Sequence, residues 1–211
     1  MTTQNEDGPC LPDDNPYVED ETSPDWPPPP IFPPVTGTQT RQTLFGTFKY
    51  VPAPIPGMPE AIRITDNWPS QSIVWVAVPQ LAHVQGAPGN GRVQFHRLGA
   101  DKLKALFQAW EDAGLLPLVL SWAGSWAPRF IRGSNSVLSN HAFGTAFDIN
   151  AAWNGLGVRP ALVGSKGSVR KLVPIANELG FYWGGHYGMS ADGSVSPGAR
   201  KDGMHFELAQ L

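Results

Sequence analysis

The sequence predicts an α+β fold, and three observations support this class. Short apolar runs with the two-residue alternation of β-strands occur in both halves of the chain, and amphipathic helical patterns lie between them. The two kinds of element do not alternate as regular βαβ units, which disfavours a parallel sheet. A chain of 211 residues can form one domain with a tail or two small domains, and we expect a flexible arm at 1–40 and one domain at 41–211.

The arm is predicted from composition. Eight of the 18 acidic residues lie in the first 25 positions, and a proline run covers Pro27 to Pro30. Proline fixes φ and lacks an N–H donor, so this run favours extended, polyproline-like chain. We expect the arm to be flexible or semi-rigid and dispensable for catalysis, or to dock on a partner.

Seven regular elements are predicted in the remainder of the chain. Strands are expected at 62–65, at 73–78 with both faces buried, and at 116–122. A helix is expected over 101–113, where apolar residues recur at helical spacing, and another after the N-cap Ser168. Short strands are expected at 181–183 and at 204–208, where Met204, Phe206 and Leu208 alternate with His205 and Glu207.

Composition excludes several classes of protein. After residue 25 the chain carries 10 acidic and 15 basic residues, a balance of +5 that is too weak and too scattered for a nucleic-acid-binding surface. Cys10 is the single cysteine, so neither an intramolecular disulfide nor a cysteine-built zinc site is expected. The sequence contains neither a classical signal peptide nor a membrane span.

One chemically informative segment is SNHAFGTAFDIN, residues 139–150. Asp148 lies between Phe147 and Ile149 on a predicted strand, where an unpaired carboxylate would be costly to bury. A nearby cation would offset that cost. His141 lies seven positions earlier, and Gly144 can supply the bend that returns His141 towards Asp148.

The second segment is DGMHFEL, residues 202–208, in which His205 stands among apolar residues. Two histidines and one aspartate, with a water in the fourth position, are typical of an open catalytic zinc site. We therefore expect one Zn²⁺ per chain, held by His141, Asp148 and His205. The alternative is that these histidines are ordinary core or surface polar groups.

The two segments resemble motifs of a known family. SNHAFGTAFDIN is similar to the Ser-x-His-x-x-Gly-x-Ala-x-Asp signature of the VanY-like zinc D-Ala-D-Ala carboxypeptidases and L-Ala-D-Glu endopeptidases, which include phage endolysins. DGMH resembles the acidic-x-x-His element of that family. FYWGGH (181–186) resembles its Gly-rich turn, and SWAPRFIRGS (125–134) its arginine-containing strand.

The resemblance implies a hedgehog-like or DD-peptidase-like α+β fold, with a central antiparallel sheet that carries one zinc. It implies hydrolysis of peptidoglycan stem peptides by a zinc-activated water, with Asp202 as general base. With such a substrate, the lack of a classical signal peptide favours a phage-borne lysin, a virion protein or a cytoplasmic enzyme. Arg129, or else Arg132, would stabilise the oxyanion. Glu207 is the alternative base, or else a partner of a zinc ligand.

The remaining site residues have more than one interpretation. Ser139 would hold the substrate, orient His141 or form a turn, and His186 would contact the substrate or pack in the Gly-rich turn. Arg132 is also expected to contact the substrate. Two other functions compete with the peptidase: a non-catalytic, zinc-containing wall-binding or interaction module of the same fold, and a phosphoesterase, for which the extra ligands of a two-metal site are missing.

Overall fold

The computed structural model describes residues 25–189, 196 and 199–211. These residues form a mixed α/β structure in which every strand pairing is antiparallel, in agreement with the predicted α+β class. The helices of the described part are α1 (Thr38–Phe45), α2 (Trp68–Ser72), α3 (Ala100–Asp112) and α4 (Val173–Glu178). Its strands are β1 (Tyr50–Pro52), β2 (Ile62–Ile64), β3 (Ile73–Ala77), β4 (Arg92–His96), β5 (Trp122–Gly124), β6 (Ala146–Ile149), β7 (Phe181–Trp183) and β8 (His205–Leu208).

The strands form two hairpins and one larger sheet. Strand β1 pairs with β2, and β3 pairs with β4. The larger sheet has four strands in the order β5-β6-β8-β7. The two inner strands, β6 and β8, therefore have hydrogen-bonded neighbours on both sides, which holds their side chains at fixed positions.

One face of the four-stranded sheet is covered by α3. Phe147 of β6 and Phe206 of β8 lie opposite each other and stack with their ring centroids 5.4 Å apart. Trp110 of α3 packs edge-on against both rings. All three side chains are buried, and replacing one such aromatic residue by alanine typically costs about 3–5 kcal/mol of stability. This packing fixes the face on which the intervening polar residues of β6 and β8 lie.

Both predicted helices are present, but Ser168 does not cap the second one, because the 3-10 turn Arg170–Leu172 precedes it and Leu172 is its N-cap residue. Helix α3 buries the four apolar residues that predicted it. Helix α4 begins at Val173, so Pro174 lies in its first turn, where a missing N–H breaks no helical hydrogen bond. No helix in the described part of the chain has the length and apolar character needed to cross a membrane.

Two strand predictions were wrong in detail. Strand β3 is present and belongs to a two-stranded hairpin with β4, but it is not buried on both faces: Val74, Trp75 and Ala77 are exposed, and Trp75 is 58% accessible. Leu116–Leu118 forms a 3-10 turn instead of a strand, with Pro117 in its first positions, and the strand begins only at Trp122. Proline favours this turn because it supplies φ without needing its N–H.

Residues 25–40, the described part of the expected arm, lie against the rest of the chain. Trp26 and Val35 are buried, and α1 begins at Thr38. This packing differs from a flexible arm, because a proline-rich segment already has few conformations and needs only a few anchors to become ordered. Residues 1–24 lie outside the described residues.

Candidate metal centre and cavity

The sheet register brings together two of the predicted ligands. Asp148 of β6 lies directly opposite His205 of β8, and Ala146 lies opposite Glu207. Since Phe147 and Phe206 point to the core, Asp148 and His205 point to the other face. The Nδ1 atom of His205 is 3.0 Å from Oδ1 of Asp148.

His141 reaches the same point from a 3-10 turn, Asn140–Phe143, that precedes β6. Gly144 ends this turn in the left-handed region, with φ at 65°, as the bend predicted from the sequence requires. A Cβ atom at Gly144 would also lie 2.7 Å from Cδ1 of Ile73. The turn places Nε2 of His141 at 3.2 Å from Oδ1 of Asp148 and at 3.1 Å from Nδ1 of His205.

The three donor atoms have the spacing of a metal site. His141, Asp148 and His205 are all buried, and the atoms they offer lie within 4.8 Å of one another. In a tetrahedral zinc site with bonds of about 2.0–2.1 Å, neighbouring ligand atoms are about 3.3–3.4 Å apart. The observed separations of 3.0–3.2 Å are close to that value.

Each of the two histidines uses one ring nitrogen in a hydrogen bond and keeps the other, which faces Asp148, available to bind a metal. Nδ1 of His141 donates to the carbonyl oxygen of Ser125 at 2.6 Å. Nε2 of His205 donates to Oε2 of Glu207 at 3.2 Å. When the imidazoles are neutral, each remaining nitrogen therefore presents a lone pair to the Asp148 carboxylate. Three converging acceptors need a cation between them, so the donor set fits a metal ion.

The charges of the site agree with this fit. Burial alone would raise the pKa of Asp148, but His141 and His205 hold it well below its usual range. Burial alone would lower the pKa of His205, but hydrogen bonds to Asp148 and Glu207 raise it to about 10. A positive charge beside Asp148 is therefore favoured, and in the metal-free chain the proton of His205 supplies it. A metal ion would have to displace that proton.

A cavity of about 450 Å³ opens next to His205. Five other residues singled out in the sequence line the same cavity: Arg129, Arg132, Ser139, Asp202 and Glu207. Its remaining lining includes Tyr187, Met204 and the 34–36 segment. The volume suits a short peptide segment rather than a macromolecular surface.

Asp202 has a buried carboxylate oxygen, Oδ1, that makes no hydrogen bond to the described residues. Burial raises the pKa of Asp202 to about 6, while the neighbouring His205 opposes that rise. A carboxylate with such a pKa can accept a proton near neutral pH, which is the requirement for a general base.

The Gly-rich turn allows the approach of Asp202 to the sheet. The backbone N–H of Asp202 donates to the carbonyl oxygen of Gly184 at 3.0 Å. A Cβ atom at Gly184 would overlap the carbonyl oxygen of Asp202. The backbone N–H of His205 in turn donates to that same carbonyl of Asp202 at 3.1 Å. Glycine at position 184 is therefore needed for the close contact that places Asp202 next to His205.

The other predicted site residues lie at different depths. Arg129 is half-buried, and its Nη1 donates to the carbonyl oxygen of Phe130, whereas Arg132 is exposed at the cavity rim. Ser139 caps the turn that carries His141, since its Oγ accepts from the backbone N–H of His141. His186 is fully buried, donates to the carbonyl oxygen of Pro27 and is not among the residues that line the cavity.

Glu207 is enclosed by hydrogen-bond donors. Its Oε2 accepts from His205, from the Tyr187 hydroxyl at 2.7 Å and from Nδ2 of Asn140, and its Oε1 accepts from the Val35 N–H at 2.8 Å. Arg41, itself buried, bonds Oδ1 of Asn140 at 2.6 Å. Sequence reasoning gave no role to Asn140, Tyr187 or Arg41. Asn140 lies inside the first motif, but its partners Arg41 and Glu207 are 99 and 67 positions away, and contacts over such separations form no local sequence pattern.

Comparison with known proteins agrees with the motifs. Residues 132–208 match the M15 peptidase family model described as D-alanyl-D-alanine carboxypeptidase, which covers about a third of the chain. The matched range contains His141, Asp148, Asp202 and His205 and begins after Arg129. Searches among curated proteins and among solved structures gave no match. The family match supports a peptidase, and the buried His-Asp-His group within it could hold the metal ion on which such peptidases typically depend.

Proposed function

We propose that the chain is a zinc-dependent peptidase that hydrolyses peptide bonds in peptidoglycan stem peptides. Residues 41–211 would form the peptidase domain, in a hedgehog-like or DD-peptidase-like arrangement. The observation that carries the proposal is the buried group of His141, Asp148 and His205 beside a cavity lined by Asp202 and Arg129. The match to the D-alanyl-D-alanine carboxypeptidase model supports this substrate class.

His141, Asp148 and His205 would hold one zinc ion. Bound there, zinc would polarise a water molecule and the scissile carbonyl group, and would lower the pKa of the water towards about 7. The carbonyl of Ser125 and the carboxylate of Glu207 keep both imidazoles in the tautomers that ligation requires.

Asp202 would accept the proton of the attacking water and deliver it to the leaving amine. Its free Oδ1 supports this role, because no structural hydrogen bond in the described chain has to break first. Glu207 is less suited to act as base, since both its oxygens already accept hydrogen bonds.

Arg129 would face the negative charge that develops on the scissile carbonyl oxygen. Its guanidinium is half-buried at the cavity and interacts with the charges of Asp148 and Asp202. In partly desolvated surroundings a fixed cation stabilises an oxyanion more than it would in water. Arg132 and Ser139, which line the same cavity, would contact the substrate.

Mass spectrometry of purified muropeptides tests the proposal. The protein should shorten stem peptides, either by releasing terminal D-alanine or by cutting between L-alanine and D-glutamate, and the product masses distinguish the two reactions. Chelator should abolish the reaction and added zinc should restore it. Zinc binding without any product would refute the peptidase and favour the non-catalytic wall-binding module.

A further inference from the structure

A segment outside the family match forms part of the candidate site. Residues 26–36, here called the strap, precede α1 and cross the molecule from the Gly-rich turn to the cavity. The strap is anchored at both ends and is exposed between them, where Ile31 is fully accessible.

The first anchor is Trp26. Its ring packs on Trp183, with centroids 5.3 Å apart, and only 6% of its surface is accessible. The guanidinium of Arg170 and the ammonium of Lys201 lie over the same ring, at 4.7 Å and 5.6 Å from its centroid. Its Nε1 points to the sulfur of Met189 at 3.2 Å. Two cation–π contacts and a buried ring hold this end firmly.

Two hydrogen bonds continue the attachment after Trp26. The carbonyl oxygen of Pro27 accepts from Nε2 of His186 at 2.7 Å. The carbonyl oxygen of Pro28 accepts from Nδ2 of Asn177 at 3.1 Å. The imidazole of His186, which was expected to contact the substrate, therefore bonds the strap instead.

The second anchor is Val35, which is joined to the candidate metal centre. Its N–H donates to Oε1 of Glu207 at 2.8 Å, and its carbonyl oxygen accepts from Nδ2 of Asn140 at 3.4 Å. Oε2 of Glu207 receives the Nε2–H of His205. A continuous series of hydrogen bonds therefore runs from the strap through Glu207 to His205, whose Nδ1 lies next to Asp148.

The Val35 N–H occupies one oxygen of the Glu207 carboxylate. Among the described hydrogen bonds it is the donor to Oε1 of Glu207, while the other three donors all bond Oε2. Glu207 is 1% accessible, so water cannot readily replace a lost donor. A carboxylate that loses one buried partner rotates or weakens its remaining hydrogen bonds. One of these is the bond that Oε2 of Glu207 accepts from Nε2 of His205.

We propose that the strap completes the active site, with Val35 as a positioning residue that fixes Glu207 and thereby the metal-binding orientation of His205. The strap also forms one wall of the cavity through Pro34, Val35 and Thr36. This proposal rests on the zinc site of the proposed function.

Substitutions at Val35 separate the backbone donor from the side chain. Val35→Pro removes the N–H, whereas Val35→Ala keeps it and loses only side-chain packing. Apparent zinc affinity is measured by competition with a chromophoric chelator, and the geometry of the site by the visible spectrum of the cobalt-substituted protein. We expect Val35→Pro to bind zinc about 10-fold more weakly than Val35→Ala and to shift the cobalt spectrum. This is the lower end of the effect of removing the partner of a metal-bound histidine, because Glu207 itself remains.

Substitutions at the far end test the same idea without touching Glu207. Trp26→Ala should release the first anchor and weaken zinc binding. Trp26→Phe should recover part of the affinity because a ring remains for Arg170 and Lys201 to contact, and Ile31→Ala should behave as wild type. Thermal unfolding of each metal-free variant identifies any that fail to fold.

Each outcome has one meaning. Folded Val35→Pro and Trp26→Ala variants with wild-type zinc affinity and an unchanged cobalt spectrum would overturn the role of the strap. Weakened zinc binding in both variants, in a protein that never hydrolyses muropeptides, would uphold the strap and refute the peptidase. A wild-type chain without zinc affinity would overturn both.

Discussion

Replacing Asp202 by asparagine separates the proposed base from the proposed ligands. The change keeps the shape of the side chain and removes its ability to accept a proton. Because Oδ1 of Asp202 has no hydrogen-bond partner among the described residues, the amide should break no structural bond. We expect the free energy of unfolding to change by no more than about 0.5 kcal/mol, as for substitutions away from packing and hydrogen-bond networks.

Turnover should respond very differently from stability. Removing a general base costs about 10²-fold or more in rate, which corresponds to about 2.7 kcal/mol of transition-state stabilisation. Initial rates on purified muropeptides, followed by chromatography and mass spectrometry, measure this loss, and elemental analysis should still find one zinc per chain. Asp101→Asn is the matched control, because this exposed aspartate on α3 forms only a surface ion pair with Lys104. If Asp202→Asn turns over normally while Glu207→Gln is inactive with its zinc retained, Glu207 is the base.

Three further predictions follow from the same structure. Asp148→Asn should lower zinc affinity by at least about 10-fold, because the amide removes the negative charge that both histidines face; unchanged affinity in a chelator competition would exclude Asp148 as a ligand. Glu207→Gln should lose about 1–3 kcal/mol of stability in urea unfolding, since an amide NH₂ must oppose one of the four surrounding donors, here the Val35 N–H; a wild-type midpoint would argue against this network. Burial lowers the pKa of His96 to about 4 from an ordinary 6.5. The unfolded chain therefore takes up this proton first, and stability present above pH 6.5 should fall by up to about 3 kcal/mol as the pH drops towards 4. His96→Gln should lose less unfolding free energy between pH 6.5 and pH 4 than the exposed control His83→Gln. Equal pH dependence of stability in the two variants would contradict this prediction.

The parts of the site that could be predicted from sequence depend on local patterns. The alternation at 204–208 places His205 and Glu207 on one face of β8, as the structure has them. Gly144 between His141 and Asp148 predicts the left-handed turn that is observed. Such features follow from the two-residue strand period and from the conformational freedom of glycine, both of which act over a few residues.

The parts that sequence did not predict depend on long-range contacts. Strand β3 is as apolar as a buried strand, yet Val74, Trp75 and Ala77 are exposed in its two-stranded hairpin with β4. The strap has the composition of a flexible arm, and only its distant partners, among them Trp183 and Glu207, order it. Its bond to Glu207 uses the backbone N–H of Val35, a group that almost every residue type offers.

A zinc titration of the metal-free protein tests the central claim most directly. Zinc is added in steps to protein stripped by chelator and dialysed, and muropeptide cleavage is measured at each step. The proposed site has three protein ligands that converge on one position, so cleavage should rise in proportion to added zinc and reach a plateau at one zinc per chain. Cleavage that is complete without zinc, or that never appears at one equivalent, would contradict the account.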